Sequence, residues 1–361
     1  MMRMSAGEST HARHMRTCRT AAVQHAHAIT AAARRRGDPV TPRRQLLLTL
    51  PWMAWPARAQ ARLPRVGVIA PWQAPDPRIP THGALEAGLA DGGWVGGGSV
   101  AIEWRYGGGQ RERLRQIAEE LVRLQVDALF APGALEVAAA RQATLTIPIV
   151  GVDLVSDPVH LGYAASLARP GGNLTGIYLD GPGLVGKQLE LLRSAVPGLK
   201  RVAAVGVTGI NGAQLLDVAQ AAQRLGLALL TLEIARTDDL DVGFSKVLQQ
   251  GAQAALVLPS PLISASADRV ATLAMRQRWP VITVFPHLAQ SGALLAYGPD
   301  IRDMWRRAAS QLGRILKGEP VATMPIERPD RFRFVINART AAALGLTLPP
   351  ALRLLADEVI Q

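Results

Sequence analysis

Short β-branched apolar runs alternate with amphipathic helical stretches along most of this chain, and that rhythm restricts the fold more than any other feature. Arg65-Val-Gly-Val-Ile-Ala70 reads as a buried strand, followed by a helix over 80–91 and a strand over 100–105. Residues 110–124 place Leu114, Ile117, Ala118, Leu121 and Val122 on one helical face, because i, i+3, i+4, i+7 and i+8 fall along a single stripe. Strands over 127–131 and 147–152 flank a helix over 134–143. Runs that are apolar at consecutive positions predict parallel strands covered by helices on both faces.

The rhythm breaks at 168–176, Ala-Arg-Pro-Gly-Gly-Asn-Leu-Thr-Gly, where Pro170, Gly171 and Gly172 forbid a helix. It then restarts. Helices over 182–196, 211–225, 239–250 and 263–277 alternate with strands over 201–207, 227–234, 254–258 and 281–285. A segment over 293–298 and a helix over 301–317 must return to one of the two halves, and 332–337 supplies one more strand. The expected fold is α/β, with two Rossmann-like doubly wound lobes. Strand C-termini and helix N-termini of both lobes would then face a shared cleft. The free N–H groups of a helix N-terminus bind anions there without a basic side chain.

Composition narrows the function classes. The 361 residues are 48% hydrophobic and 19% charged, enough for two domains and wrong for disorder. The net charge is +12, but residues 1–59 hold ten Arg against Glu8 and Asp38, so this stretch alone supplies eight of the twelve charges. The near-neutral remainder has no electrostatic footprint for nucleic acid. The single cysteine, Cys18, excludes a disulfide scaffold. Arg43-Arg44, the apolar stretch Leu46 to Trp55 and Ala57-Arg-Ala59 form the pattern of a secretory signal peptide cleaved after Ala59, which directs the mature chain to the periplasm. Residues 1–40 fit no signal peptide, so translation is expected to start at Val40. No His-Glu-x-x-His, Gly-x-Ser-x-Gly or Walker sequence occurs, and His82, His160 and His287 are isolated in sequence. No catalytic residue, metal site or cofactor is expected.

A series of short motifs resembles a known family. It comprises Thr146-Ile-Pro-Ile-Val150, Asp157-Pro-Val159, the stretch Ser166 to Gly176, Tyr297-Gly298, Ile315-Leu-Lys-Gly318, Val335-Ile-Asn337, Ala343-Leu-Gly-Leu346 and Ala356-Asp-Glu-Val-Ile360. Together they resemble the ABC-transporter substrate-binding proteins of the tryptophan/tyrosine-uptake type, from Val66 to Ile360. The resemblance implies the type I periplasmic binding protein fold, two lobes joined by a three-crossover hinge. It implies a first lobe of 62–175 plus 287–322 and a second of 176–286 plus 323–361, behind an extension over 1–59. Crossovers are expected near 173–176, 285–289 and 323–328, with Asn173 and Gly176 as hinge residues because glycines absorb backbone rotation. The implied partners are a small-molecule ligand and a membrane permease; the chain acts as a monomer, binds no nucleic acid and is not an enzyme. Two alternatives share the two-lobed architecture. A regulator of the lactose-repressor type needs an N-terminal helix-turn-helix, and the leader stands in its place. An enzyme needs a convergent acid/base pair, for which there is no motif.

Candidate binding residues follow from their position just past strand ends. In the first lobe Trp72 and Gln73 follow the first strand, and the Trp72 ring can stack on a flat ligand. Gly133, Ala134 and Leu135 open a helix whose N–H groups suit a carboxylate; the family often carries Ser or Thr at this turn. Asp153 follows the fourth strand and is placed for an amino group. In the second lobe Tyr178 lies past the hinge, Thr208 and Asn211 precede a helix, Ser260 follows the 254–258 strand and His287 the next. An aromatic ring, a carboxylate-binding backbone and one acid suit an amino acid, an aromatic carboxylate or a peptide fragment.

Overall fold

The structure is a computed structural model and describes residues 62–73, 81–108, 110–179 and 181–361. The expected leader over 1–59, with Cys18 and Val40, lies outside the described residues. The chain first runs through β1 (Arg65–Ala70), α1 (Thr81–Asp91), β2 (Ala101–Tyr106), α2 (Arg111–Arg123), β3 (Ala128–Ala131), α3 (Ala134–Ala143), β4 (Ile149–Asp153) and β5 (Leu174–Tyr178). A second series follows: α4 (Gly181–Ala195), β6 (Arg201–Val207), α5 (Gly212–Arg224), β7 (Ala228–Ile234), α6 (Asp239–Gln249), β8 (Ala254–Val257), α7 (Pro261–Ala265), α8 (Ala267–Arg276), β9 (Val281–Thr283), α9 (Pro286–Ser291) and β10 (Leu295–Pro299). The last part comprises α10 (Ile301–Leu316), β11 (Ile326–Glu327), β12 (Phe332–Asn337), α11 (Ala338–Leu344), α12 (Pro350–Leu354) and β13 (Glu358–Ile360).

Two sheets result. One has the order β11-β5-β4-β3-β1-β2, the other β13-β12-β10-β9-β8-β6-β7. Every pairing is parallel except β10 with β12. In the first sheet Val66, Val68, Phe130, Val150 and Ile177 point to one face, where Leu85 and Leu89 of α1 and Met304, Trp305 and Leu312 of α10 cover them. Ile69, Leu129, Ile149 and Leu174 point to the other, under Leu114, Ile117 and Leu121 of α2 and Val137 of α3. Each such side chain contributes about 1.5–3 kcal/mol when fully buried. Burial on both faces explains why the strands read as continuous apolar runs.

The structure moves the expected crossovers along the chain. The break at 168–176 contains part of β5, which pairs with β4 from Ile149↔Leu174 to Asp153↔Tyr178. The first passage between sheets therefore comes after Tyr178. Asn173 is buried, accepts a hydrogen bond from Arg141 and donates to the carbonyls of Thr144 and Ile147, at 3.3 and 2.8 Å. Gly176 lies inside the sheet between Gly151 and Ile326. Its φ is +136°, and a Cβ there would collide with the Gly151 backbone. Its glycine permits close strand approach, and both residues lie ahead of the first passage between the sheets.

Residues 287–299 stay with the second sheet, because β10 pairs with β12 from Leu295↔Ile336 to Pro299↔Phe332. The second passage follows Pro299, after which α10 packs on the first sheet beside α1. The third lies between Glu327, whose strand pairs with β5, and Phe332. The Arg328 guanidinium ties two of these passages together, donating to the carbonyls of Tyr178 and Leu179 at 3.1 and 2.6 Å. No helix among the described residues is long and apolar enough to cross a membrane.

Candidate functional site

A cavity of about 340 Å³ lies where strands of the two sheets end. Its first-sheet wall is built from Pro71 and Trp72 after β1, Pro132 to Glu136 after β3, and Val152 to Val155 at the end of β4. Its second-sheet wall comes from Ile210 before α5, Pro259 to Pro261 after β8, and Phe285 to His287 at α9. The turn from β10 into α10 adds Asp300 and Arg302, and Arg333 of β12 stands at the same cavity. The halves touch: Gln214 Nε2 donates to the Leu154 carbonyl at 2.9 Å, and Arg111 reaches the Gly209 carbonyl at 3.5 Å.

Trp72, Gly133, Ala134, Leu135, Asp153, Ser260 and His287 all line the cavity. Trp72 is half-buried and stacks on Trp305 at 5.8 Å between ring centroids, and Trp305 in turn tilts onto Phe130 at 4.8 Å. The Phe285 and His287 rings meet at 5.2 Å, and His287 Nε2 lies 3.3 Å from Ser264 Oγ. Ser260 caps the short helix α7, its hydroxyl accepting from the Ile263 N–H at 3.1 Å.

Four other expected residues lie off the cavity. Gln73 is exposed in the loop after β1 and folds against Gly108. Tyr178 is in the first sheet, 1% exposed beneath α3, because it belongs to β5. Thr208 sits in an exposed turn. Asn211 is fully buried and spends its amide inside the lobe: Oδ1 accepts from Val207 N–H at 2.8 Å, while Nδ2 donates to Gln214 and to the Pro259 carbonyl at 2.6 and 2.9 Å. It clips the ends of β6 and β8 together.

Two acids stand in the first wall just beneath its surface. Asp153 Oδ1 accepts from the backbone N–H groups of Val155 and Ser156, at 2.8 and 3.2 Å, and Oδ2 accepts from the Ser156 hydroxyl. Burial raises its pKa above the ordinary value, and these hydrogen bonds oppose the rise. Glu136, in the first turn of α3, is 1% exposed, and its Oε1 has no hydrogen-bond partner among the described residues. Burial pushes its carboxyl up to about 8, with a further push from Asp153 and a counter-effect from its own backbone N–H. That N–H, which follows the Gly133-Ala134-Leu135 turn expected to hold a ligand carboxylate, is therefore already engaged by its own side chain. Sequence reasoning singled out neither Glu136 nor Trp305, which fall inside the helices expected over 134–143 and 301–317; the only available signal was an acid directly after the Gly-Ala-Leu turn. Asp300 was also missed, although a capping Asp before a helix is a known signature. It accepts from the N–H groups of Arg302 and Asp303 at 3.0 and 3.2 Å.

Comparison with known proteins fits this arrangement. The chain is 27% identical over 263 residues to a tyrosine-binding protein of Clostridioides difficile, covering 72% of this chain and 74% of the relative. It is similar in fold to the ABC domain from Streptococcus pneumonia in complex with L-Trp, with a TM-score of 0.76 and 21% identity over 82% of this chain and 100% of that one. It also resembles the ligand-free, open structure of a substrate-binding protein with adhesive properties from Clostridium difficile, with a TM-score of 0.61 and 22% identity over 83% and 99% of the two chains. The profile of the ABC transporter substrate binding protein family matches residues 65–360, nearly all of the described structure. With that match, two mostly parallel α/β sheets and a cavity at their strand ends, the chain belongs to the ABC transporter substrate-binding protein family, a family of binding proteins rather than enzymes.

Proposed function

We propose that the chain is the exported, periplasmic receptor of an ABC importer and that its solute is an amino acid with an aromatic or apolar body. The observation that carries this reading is the Trp72 ring, backed by Trp305, in a cavity of about 340 Å³ also lined by Phe285. That volume falls in the usual range for small-molecule sites, and a mostly apolar wall with few polar groups is the usual composition. The ligand specificities named for the relatives point the same way. The solute seats between the lobes, favours the closed arrangement over the open one, and is handed to a membrane permease. The receptor works as a monomer, without nucleic acid, and the leader over 1–59 delivers it across the membrane.

The test is a thermal-shift panel of the twenty amino acids and a set of aromatic acids. Aromatic and large apolar amino acids should raise the unfolding temperature in a concentration-dependent way, and mass spectrometry should recover each ligand unchanged. A panel without a single shift overturns the solute class. Intact mass of the exported form should begin at Gln60 or within a few residues of it.

A further inference from the structure

We propose that Glu136 selects a cationic amine on the solute, and that seating the amine sends one proton from its carboxyl to bulk water. This rests on the solute class proposed above and names the group that would read it. Sequence position had suggested Asp153 for the amine. Both Asp153 oxygens, however, already accept hydrogen bonds from the loop that follows β4. Of the two acids in this wall, only Glu136 keeps an oxygen without a partner among the described residues.

The local sequence builds this. Gly133, the N-cap of α3, has φ +145°, and a Cβ there would collide with Glu136 Oε2. Glycine therefore gives the carboxyl its room. Among the described residues no basic side chain pairs with it. Arg141, on the same helix, gives its Nη1 to Asn173. From the sheet side the neighbour is Asp153 on β4, itself close to the buried Tyr178 of β5, whose hydroxyl has no hydrogen-bond partner among the described residues. Across the cavity stand His287 on α9, Asp300 and Arg302 at the start of α10, and Arg333 on β12, which is paired with Glu358 at 3.1 Å.

A buried carboxylate without a partner is costly, whereas a neutral carboxyl is tolerable. Glu136 therefore rests protonated. Turning it into the cavity breaks no bond at Oε1. An arriving ammonium supplies the missing partner and makes the ionised form the favoured one. The exchange balances as ammonium plus carboxylic acid giving an ammonium–carboxylate pair plus one solvated proton. The recognised class is then a zwitterion with a free ammonium, not a simple carboxylic acid.

The experiment is titration calorimetry on the mature protein in two buffers of different ionisation enthalpy. The probes are L-phenylalanine, L-tyrosine and L-tryptophan, each beside its deaminated analogue (3-phenylpropionate, 3-(4-hydroxyphenyl)propionate and indole-3-propionate). At about pH 6.5 the amino acids should release close to one proton each, and their affinity should rise about tenfold per pH unit until it levels near pH 8. The analogues should release none. Glu136→Gln should abolish both the release and the slope. Equal release in Glu136→Gln, or analogues that match the amino acids, overturns the proposal. If only the deaminated acids bind, this proposal and the amino-acid class of solute both fall, and the receptor reading alone stands. If neither set binds, the solute class itself has failed. If Glu136→Gln does not fold, the wild-type proton count decides, and a count of zero overturns the proposal.

Discussion

On the second-lobe side of the cavity the polar groups are held by the protein. Ser260, whose hydroxyl caps α7, and His287, whose Nε2 lies within reach of Ser264, line it, and Asn211, off the cavity behind them, has three partners. On the first-lobe side Asp153 is held in the same way, but its neighbour Glu136 keeps one oxygen empty. The aromatic stack of Trp72 and Trp305 also belongs to this side. The contrast separates two uses of buried polarity. Satisfied groups shape a wall, whereas an unsatisfied one beside an aromatic face leaves an interaction for a ligand to complete.

The strongest attack on this contrast is pH. A carboxyl raised from 4.5 to about 8 in the folded chain binds its proton more tightly there than in the unfolded chain. Its contribution is full below about pH 4.5 and is lost as pH rises through about 8. The integrated loss is on the order of 5 kcal/mol, and Asp153, also raised, acts in the same direction. Denaturant unfolding of the ligand-free protein between about pH 5 and 9 should show stability falling with pH, and falling less in Glu136→Gln. Parallel curves would remove the distinction between the two walls.

Next in size are paired substitutions, one on each side. Trp72→Ala should weaken solute binding by about 1–3 kcal/mol, roughly ten- to a hundredfold, with a smaller change in stability. Asn211→Ala should do the reverse. It strands the Val207 N–H and the Pro259 carbonyl, costing about 1–3 kcal/mol of stability, while the fraction of protein that stays folded binds nearly as before. Calorimetry and thermal melts on the same samples separate the two effects, and a Trp72→Ala protein with wild-type affinity would move the site off this wall. The smallest effect is expected from Ser260→Ala. Loss of that cap should cost about 1 kcal/mol, read as a small drop in unfolding temperature, because the hydroxyl is committed to Ile263 rather than to a ligand.

Much of the fold was legible because the hydrophobic period is local. The α2 stripe of Leu114, Ile117, Ala118 and Leu121 is buried as expected, and the strand begun at Arg65 ends at Ala70 as read. β5 was not legible. Pro170, Gly171 and Gly172 mark a real break, but Leu174 to Tyr178 behind them is too short to declare itself and gains its identity only by pairing with β4. The same blindness put Tyr178 in the wrong lobe and made Gly176 a hinge. Candidate residues chosen by strand-end position, such as Trp72, Gly133 and Asp153, line the cavity. Those whose role depends on what packs against them, Glu136 and Trp305 above all, were not.

The sequence alone therefore determined the β/α alternation, the doubling into two halves and the turns at which a cleft had to open. Each of these follows from residue period and turn chemistry within a window of a few residues. Only the tertiary structure decided where the chain changes lobes, since that depends on β10 meeting β12 and β11 meeting β5, strands far apart in sequence. It alone also decided which acid is satisfied. Asp153 and Glu136 are both single carboxylates beside a strand end, and they differ only in whether donors lie within reach after folding.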